Sequence, residues 1–203
     1  MTFGIFQRAS KFSAEFWTCV GRILKECPGS LLLVQYASND LDEIGSDSRR
    51  RVHSALSDCD VAANRIMFRG PVSRAANLEM LSSVDIALDT FPYNGQTTTC
   101  ECLWMGVPVV TLAGNYHVAR VGSSLLHQVG LPELVARKSS EYIQIACELA
   151  SARPRLSALR MGLRNRLWVS PLMDGRSVRG LEAAYRDVWE ERLSKKSKST
   201  RRA

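Results

Sequence analysis

The sequence predicts an α/β fold: a parallel sheet with helices on both faces, half of a doubly wound arrangement. Three observations predict it. Short apolar runs recur along the chain at Leu31–Tyr36, Arg65–Phe68, Val84–Leu88 and Val107–Leu112. Between them, apolar residues return at three- and four-residue steps, the period of an amphipathic helix. Turn formers such as Pro28-Gly29 and Gly70-Pro71 stand where one pattern gives way to the next.

Each element has its own local reason. Ser13 can cap a helix in which Phe16, Val20, Ile23, Leu24 and Cys27 form one stripe, with Glu15 in the first turn and Pro28-Gly29 as the stop. Leu31–Tyr36 then reads as a buried strand. A polar stretch, Ala37–Asp47, leads into a helix over Ser48–Ser57. Arg65–Phe68 is the second strand, Ser73–Ser83 a helix carrying Ala76, Leu78 and Leu81, and Val84–Leu88 the third strand. A helix begins near Thr97 with Leu103 and Trp104 on its apolar side, and Val107–Leu112 is the fourth strand. Val118–Val129 predicts one continuous helix and Leu134–Ala136 a short edge strand. From Ser139 onward the pattern is helical. Ile143, Ala146, Cys147 and Ala150 form one stripe, Leu156, Leu159, Leu163 and Leu167 a second, and Val178, Leu181, Tyr185, Val188 and Trp189 a third.

Composition narrows the function classes. With 203 residues, 45% hydrophobic and 23% charged, the chain suits one globular domain or one and a half. No apolar run approaches the roughly 18–20 residues of a membrane span. The six cysteines sit mostly in apolar stretches and no secretory signal opens the sequence, so they are expected as reduced thiols of a cytoplasmic protein. The net charge of +7 invites a nucleic-acid reading, but five of the 27 lysines and arginines lie in the last ten residues, leaving 22 against 20 acids. Residues 194–203 are expected as a basic, disordered tail, and neither a nucleic-acid nor a membrane partner is expected. The lobe itself is expected over residues 1–193, with a sheet part to about 136 and a helical part from about 139 to 193.

In an open parallel sheet, ligands bind at the carboxyl ends of the strands. The segment leaving the third strand, Asp89-Thr-Phe-Pro-Tyr-Asn-Gly-Gln-Thr-Thr-Thr-Cys-Glu101, places Gly95 and three threonines just before an apolar helix. Amides at a helix start attract an anion, and the hydroxyls of Thr97 and Thr98 add donors. Glu101, one turn on and on the same face, is placed to accept from ribose hydroxyls. The competing reading is structural: threonines commonly cap helices, and a first-turn Glu complements the helix dipole.

Together, Asp89-Thr-Phe-Pro-Tyr-Asn-Gly, Thr97-Thr-Thr and Leu103-Trp-Met-Gly-Val-Pro-Val-Val-Thr111 resemble the C-terminal lobe of the O-linked N-acetylglucosamine transferase/SPINDLY family. The likeness continues through Arg120-Val-Gly-Ser-Ser-Leu-Leu126, Gly130-Leu-Pro-Glu-Leu-Val135 and Ser170-Pro-Leu172, and at the start through Phe3-Gly-Ile-Phe-Gln-Arg-Ala-Ser-Lys11. It spans roughly residues 3–192. The resemblance implies the C-terminal, Rossmann-like half of a glycosyltransferase-B fold. It also implies transfer of N-acetylglucosamine, or a related sugar, from UDP to Ser or Thr hydroxyls of proteins.

On that resemblance, Lys11 would be the catalytic residue, stabilising charge on the departing UDP, with Arg8 in support. Thr97 and Thr98 would hold the phosphates and Glu101 the ribose; Val72 and Arg74 would lie on the loop that faces uracil, Asn77 near the nucleoside and Gln96 at the helix entrance. Asn77 and Gln96 stand where animal members carry histidine. His117 is a further candidate for the sugar or phosphates. Arg120 matches a recurrent family arginine, with helix capping as its competing role. Lys11 and helix amides can together replace a metal at the diphosphate, so neither a metal nor another cofactor is expected. The implied partners are a UDP-sugar, a protein acceptor and a separate N-terminal lobe or helical-repeat domain. The alternatives are a non-catalytic UDP-binding or interaction module left by truncation, and another user of UDP-sugars on the same fold.

Overall fold

A computed structural model describes residues 1–35 and 47–200. Six parallel strands form one sheet: Thr2–Ile5 (β1), Leu31–Gln35 (β2), Ile66–Arg69 (β3), Ile86–Leu88 (β4), Val109–Leu112 (β5) and Val135–Ala136 (β6). They lie in the order β3-β2-β1-β4-β5-β6. The chain winds outward in one direction from β1 and in the other from β4, so a crevice opens between those two strands at their carboxyl ends. Phe3 and Gly4 pair with Ile86 and Ala87 there, fixing the register beneath the crevice.

Helices Ala14–Glu26 (α1), Asp47–Ser57 (α2) and Ser139–Ser151 (α6) pack together through α1. Arg74–Ser82 (α3), Thr97–Trp104 (α4) and Val121–Gln128 (α5) form the other layer, joined through α4. The core between them holds Phe3, Ile5, Leu32, Val34, Ile86 and Leu88, and Tyr142 is the largest fully buried side chain. Ser13 caps α1 as its spacing predicts: its hydroxyl accepts from the Phe16 amide at 3.1 Å and donates to the Phe91 carbonyl at 2.9 Å. The strand expected to reach Tyr36 ends its described length at Gln35; Ala37–Ser46 fall outside the described residues.

Helix Arg153–Trp168 (α7) turns Leu156, Leu159, Leu163 and Leu167 inward. Its arginines reach the far ends of the second helical layer. Arg160 donates to the carbonyls of Ser82, Val84 and Asp85 just past α3. Arg164 donates to the Trp104 carbonyl that ends α4, at 2.8 Å, and Arg166 to the Gly130 carbonyl beyond α5, at 3.1 Å.

Two expectations are corrected. The helix read as continuous over Val118–Val129 is broken: His117–Ala119 is a single 3-10 turn and α5 starts at Val121. The cause is competition for carbonyls, since Val118 accepts from the Asn94 amide and Ala119 from the Gly114 amide. Residues 194–200, expected as part of a disordered tail, lie on helix Arg176–Thr200 (α8), with Lys195 paired to Glu191 one turn earlier; residues 201–203 fall outside the described residues. The apolar stripe of α8 is exposed: Val178, Leu181, Tyr185, Val188 and Trp189 are each more than half exposed, from 55 to 68%.

That stripe sets a test. The chain is expected to enhance the fluorescence of an apolar dye, and polar replacement of Leu181, Tyr185, Val188 and Trp189 is expected to abolish most of the signal. Unfolding free energy should shift by no more than about 0.5 kcal/mol per site, as for other exposed positions. No helix among the described residues is long and apolar enough to cross a membrane.

Candidate functional site

The crevice between β1 and β4 is a cleft of about 450 Å³. Three segments line it. After β1 come Phe6, Gln7, Arg8 and Lys11; after β4, Tyr93, Asn94, Gln96, Thr97 and Thr98; after β5, His117, Val118 and Val121. Six of the residues singled out from the sequence, Arg8, Lys11, Gln96, Thr97, Thr98 and His117, therefore share one wall space. Arg120 lines an adjoining hollow of about 360 Å³ with Gln96, His117 and Ser124.

Lys11 is placed by a short 3-10 turn, Ala9–Lys11. Its ammonium donates to the Asn94 carbonyl at 2.9 Å and to Gln7 Oε1 at 3.2 Å, and lies 4.1 Å from the Tyr93 ring centroid. Burial holds it below the usual lysine range; Asp89 pulls it back up and Arg8 adds to the lowering. The lysine is thus a half-buried cation fixed over the loop that precedes α4.

That loop is tight. A β-carbon on Gly95 would overlap the Gln7 side-chain amide and press on Thr99 Oγ1, so any larger residue would have to displace Gln7 from its place beside the loop. The N-cap of α4 is Gln96, and it makes no side-chain cap hydrogen bond. The first amides of α4 are therefore not capped by that side chain, and Gln96, Thr97 and Thr98 line the cleft.

Glu101 lies one turn into α4 with its side chain 19% exposed, and Arg74 approaches it to 3.7 Å. The structure thus links the ribose candidate to a uracil-loop candidate. Val72 is exposed on the loop after β3 and Asn77 is half-buried on α3; none of Glu101, Arg74, Val72 and Asn77 lines the cleft. His53 packs on Phe68 at 5.2 Å, and the His127 ring meets the Ser123 carbonyl on an exposed face, as structural histidines do.

Sequence reasoning passed over Gln7, Asn94 and Asp89 as individual residues. Asn94 is buried; its amide donates to the Thr90 carbonyl at 2.8 Å, and its Oδ1 accepts from the Gly122 amide at 3.3 Å. Asp89 ends β4 with 2% exposure. A carboxylate closing an apolar strand was the available signal for it. A separate groove of about 390 Å³ between α1 and α2, lined by Phe12, Trp17, Val52 and Ala55, is largely apolar and has no such set of donors.

A parallel sheet with this order, opening at its switch point onto a fixed lysine and the start of a helix, defines a Rossmann-like lobe. The particular family follows from comparison: residues 2–179 match glycosyl transferase family 41, and the chain belongs to that family. It is 40% identical over 204 residues to a probable UDP-N-acetylglucosamine–peptide N-acetylglucosaminyltransferase, SPINDLY, of Arabidopsis thaliana, covering 100% of this chain and 22% of that protein. The chain therefore spans about a fifth of the length of such relatives. An O-GlcNAc transferase variant from Thermobaculum terrenum superimposes with a TM-score of 0.86 at 39% identity, over 94% of this chain and 36% of that one. Sucrose-phosphate synthase of Thermosynechococcus elongatus matches at TM-score 0.61 and 13% identity, over 93% of this chain and 46% of that one, which shows the shared fold alone.

Proposed function

We propose that the chain is the UDP-sugar-binding half of a protein O-GlcNAc transferase-like enzyme. Completed by an N-terminal lobe, it transfers N-acetylglucosamine, or a related sugar, from UDP to Ser or Thr hydroxyls of a protein acceptor. One observation carries the reading: Lys11 and the first residues of α4, Thr97 and Thr98, line the same cleft. In this reading the two anionic phosphates lie between the lysine and the helix start. As the sugar–phosphate bond breaks, negative charge gathers on the UDP oxygen, and a cation already held in place stabilises it without reorganising. Arg8 and His117 border the same space. Glu101 accepts from the ribose, with Val72, Arg74 and Asn77 toward the base.

The first lobe would hold the acceptor, and orientation of two reactants carries about 7–11 kcal/mol of such barriers. The isolated chain is therefore expected to bind UDP without turnover. Six free thiols, Cys19 and Cys102 among them buried, support a reducing, cytoplasmic setting.

Lysine and helix amides make the phosphate contacts in this reading, with no metal. Calorimetry of UDP with chelator is expected to give the same affinity as with magnesium. A strict magnesium requirement, or no binding at all, would overturn the assignment. Sugar transfer restored by adding a separate N-terminal lobe separates a half-enzyme from a binding module that has lost its chemistry.

A further inference from the structure

Behind the cleft lies a second layer of contacts centred on Asp89. Its two oxygens serve different helices. Oδ1 accepts from the Gly95 amide at 2.6 Å, immediately ahead of α4. Oδ2 accepts from the Thr111 hydroxyl at 2.7 Å and occupies the space that a β-carbon on Gly122, the second residue of α5, would need. Tyr142 of α6 supports the group from beneath, its hydroxyl donating to the Asp89 carbonyl at 3.0 Å. One carboxyl group thus sits between the starts of the two short helices that border the cleft.

We propose that Asp89 is a positioning residue of the anion cradle: it fixes the starts of α4 and α5 relative to each other and takes up a proton when a diphosphate arrives. This deepens the UDP reading and rests on it. The titratable groups that face Asp89 are Lys11 after β1, Cys102 on α4 and Tyr142 on α6; β5 offers Thr111, and α5 offers Gly122. Burial pushes the Cys102 thiol and the Tyr142 phenol up, so both stay neutral and Lys11 is the charged member. Burial also pushes the Asp89 carboxyl up to about 7, against the Gly95 and Thr111 hydrogen bonds and the Lys11 charge.

Protonation leaves the scaffold intact. The Thr111 hydroxyl can accept from the acid instead of donating to it, and the other carboxyl oxygen still accepts from Gly95. What changes is the charge behind the cradle. A dianionic ligand favours the neutral acid, so by linkage its binding draws a proton from solvent onto Asp89.

The probe is UDP-N-acetylglucosamine, whose phosphates are both diesters and have no proton to lose near neutrality. It is titrated into the full chain by calorimetry from pH 6 to 8.5, in buffers of differing ionisation heat. Wild type is expected to bind tightest below pH 7 and to weaken about five- to tenfold toward pH 8.5, with net proton uptake in that interval. Asp89→Asn keeps an acceptor for Gly95 and a donor for Thr111, and should hold the low-pH affinity throughout without uptake. Asp89→Ala loses both contacts and should bind weakly at every pH.

A flat wild-type profile without proton uptake overturns the proposal, as does the same fall persisting in Asp89→Asn, which would assign it to Lys11. Should Asp89→Ala fail to fold, the other two proteins decide. Amide exchange without ligand separates this proposal from the UDP reading. Faster exchange at Gly95 and Gly122 in Asp89→Ala but not in Asp89→Asn supports positioning even if the sugar nucleotide never binds, and equal rates in all three reject it.

Discussion

Replacing Lys11 with alanine is expected to weaken UDP by about ten- to a hundredfold while leaving uridine nearly unchanged. A hydrogen bond to a charged group contributes roughly 1.5–3 kcal/mol, and each 1.4 kcal/mol is a factor of ten in affinity. Uridine carries no phosphate, so it has no charge for the ammonium to meet. Lys11 also holds the Asn94 carbonyl and lies on Tyr93, so alanine could loosen the loop as well as remove the charge. Loosening would affect uridine and UDP alike, and the ratio of the two losses isolates the charge. Glu101→Ala supplies the opposite pattern, because both ligands carry the ribose and should lose similar factors. Equal weakening of both ligands by Lys11→Ala would remove the lysine from the diphosphate site. Arg8→Ala, an exposed cation at the cleft edge, should follow the Lys11 pattern more mildly.

The second large effect concerns folding itself. Asp89 has an ordinary carboxyl in the unfolded chain, near 3.8, and one pushed up to about 7 in the fold, chiefly by burial. Between these values the unfolded chain gives up the proton and the folded one keeps it. The contribution of this group to stability is therefore fully present below pH 4, falls as pH rises toward 7, and stays at its reduced level above that. The fall attributable to this one group is about 4 kcal/mol. Asp89→Asn does not titrate. Urea unfolding of wild type and Asp89→Asn across pH 4–8 should show the variant gaining on wild type throughout the interval, and a constant difference would refute the assignment. A fold that accepts such a cost in its core does so where the carboxyl organises something, and here that is the start of two helices.

Much of this architecture was legible as periodicity. The runs at Leu31, Val84 and Val107 read as strands because both faces of a parallel strand are buried, leaving no polar alternation to confuse them. Strand β1 was visible only through likeness to a family, since Thr2–Ile5 is too short and too close to the chain start to carry a period. The site was legible where a motif is contiguous, as at Thr97–Thr98, or anchored by one unusual residue, as at Lys11. The part that was not legible is relational. Nothing in the spacing of Thr111 and Gly122 says that one meets Asp89 and the other Asn94, because contacts over 22 and 28 positions leave no local pattern. The broken helix at Val118 has the same origin: its carbonyls were claimed by Asn94 and Gly114, and local propensity gave way to tertiary contact.

The arginines of α7 bear on how short helices can hold anions at all. Helices α4 and α5 have eight residues each, or about 12 Å of length. That is little more than one Debye length at physiological salt, about 8 Å. The negative carbonyl end of such a helix would partly cancel the pull of its amide end on any phosphate. Arg164 sits on the carbonyl end of α4, and Arg166 on the carbonyl just past α5. Each guanidinium sets a full positive charge against roughly half a negative one. Viewed from the cleft, α4 and α5 then weigh more by their amide ends, and a helix with no side chain in that cleft adds to the positive field that Lys11 and Arg8 set there.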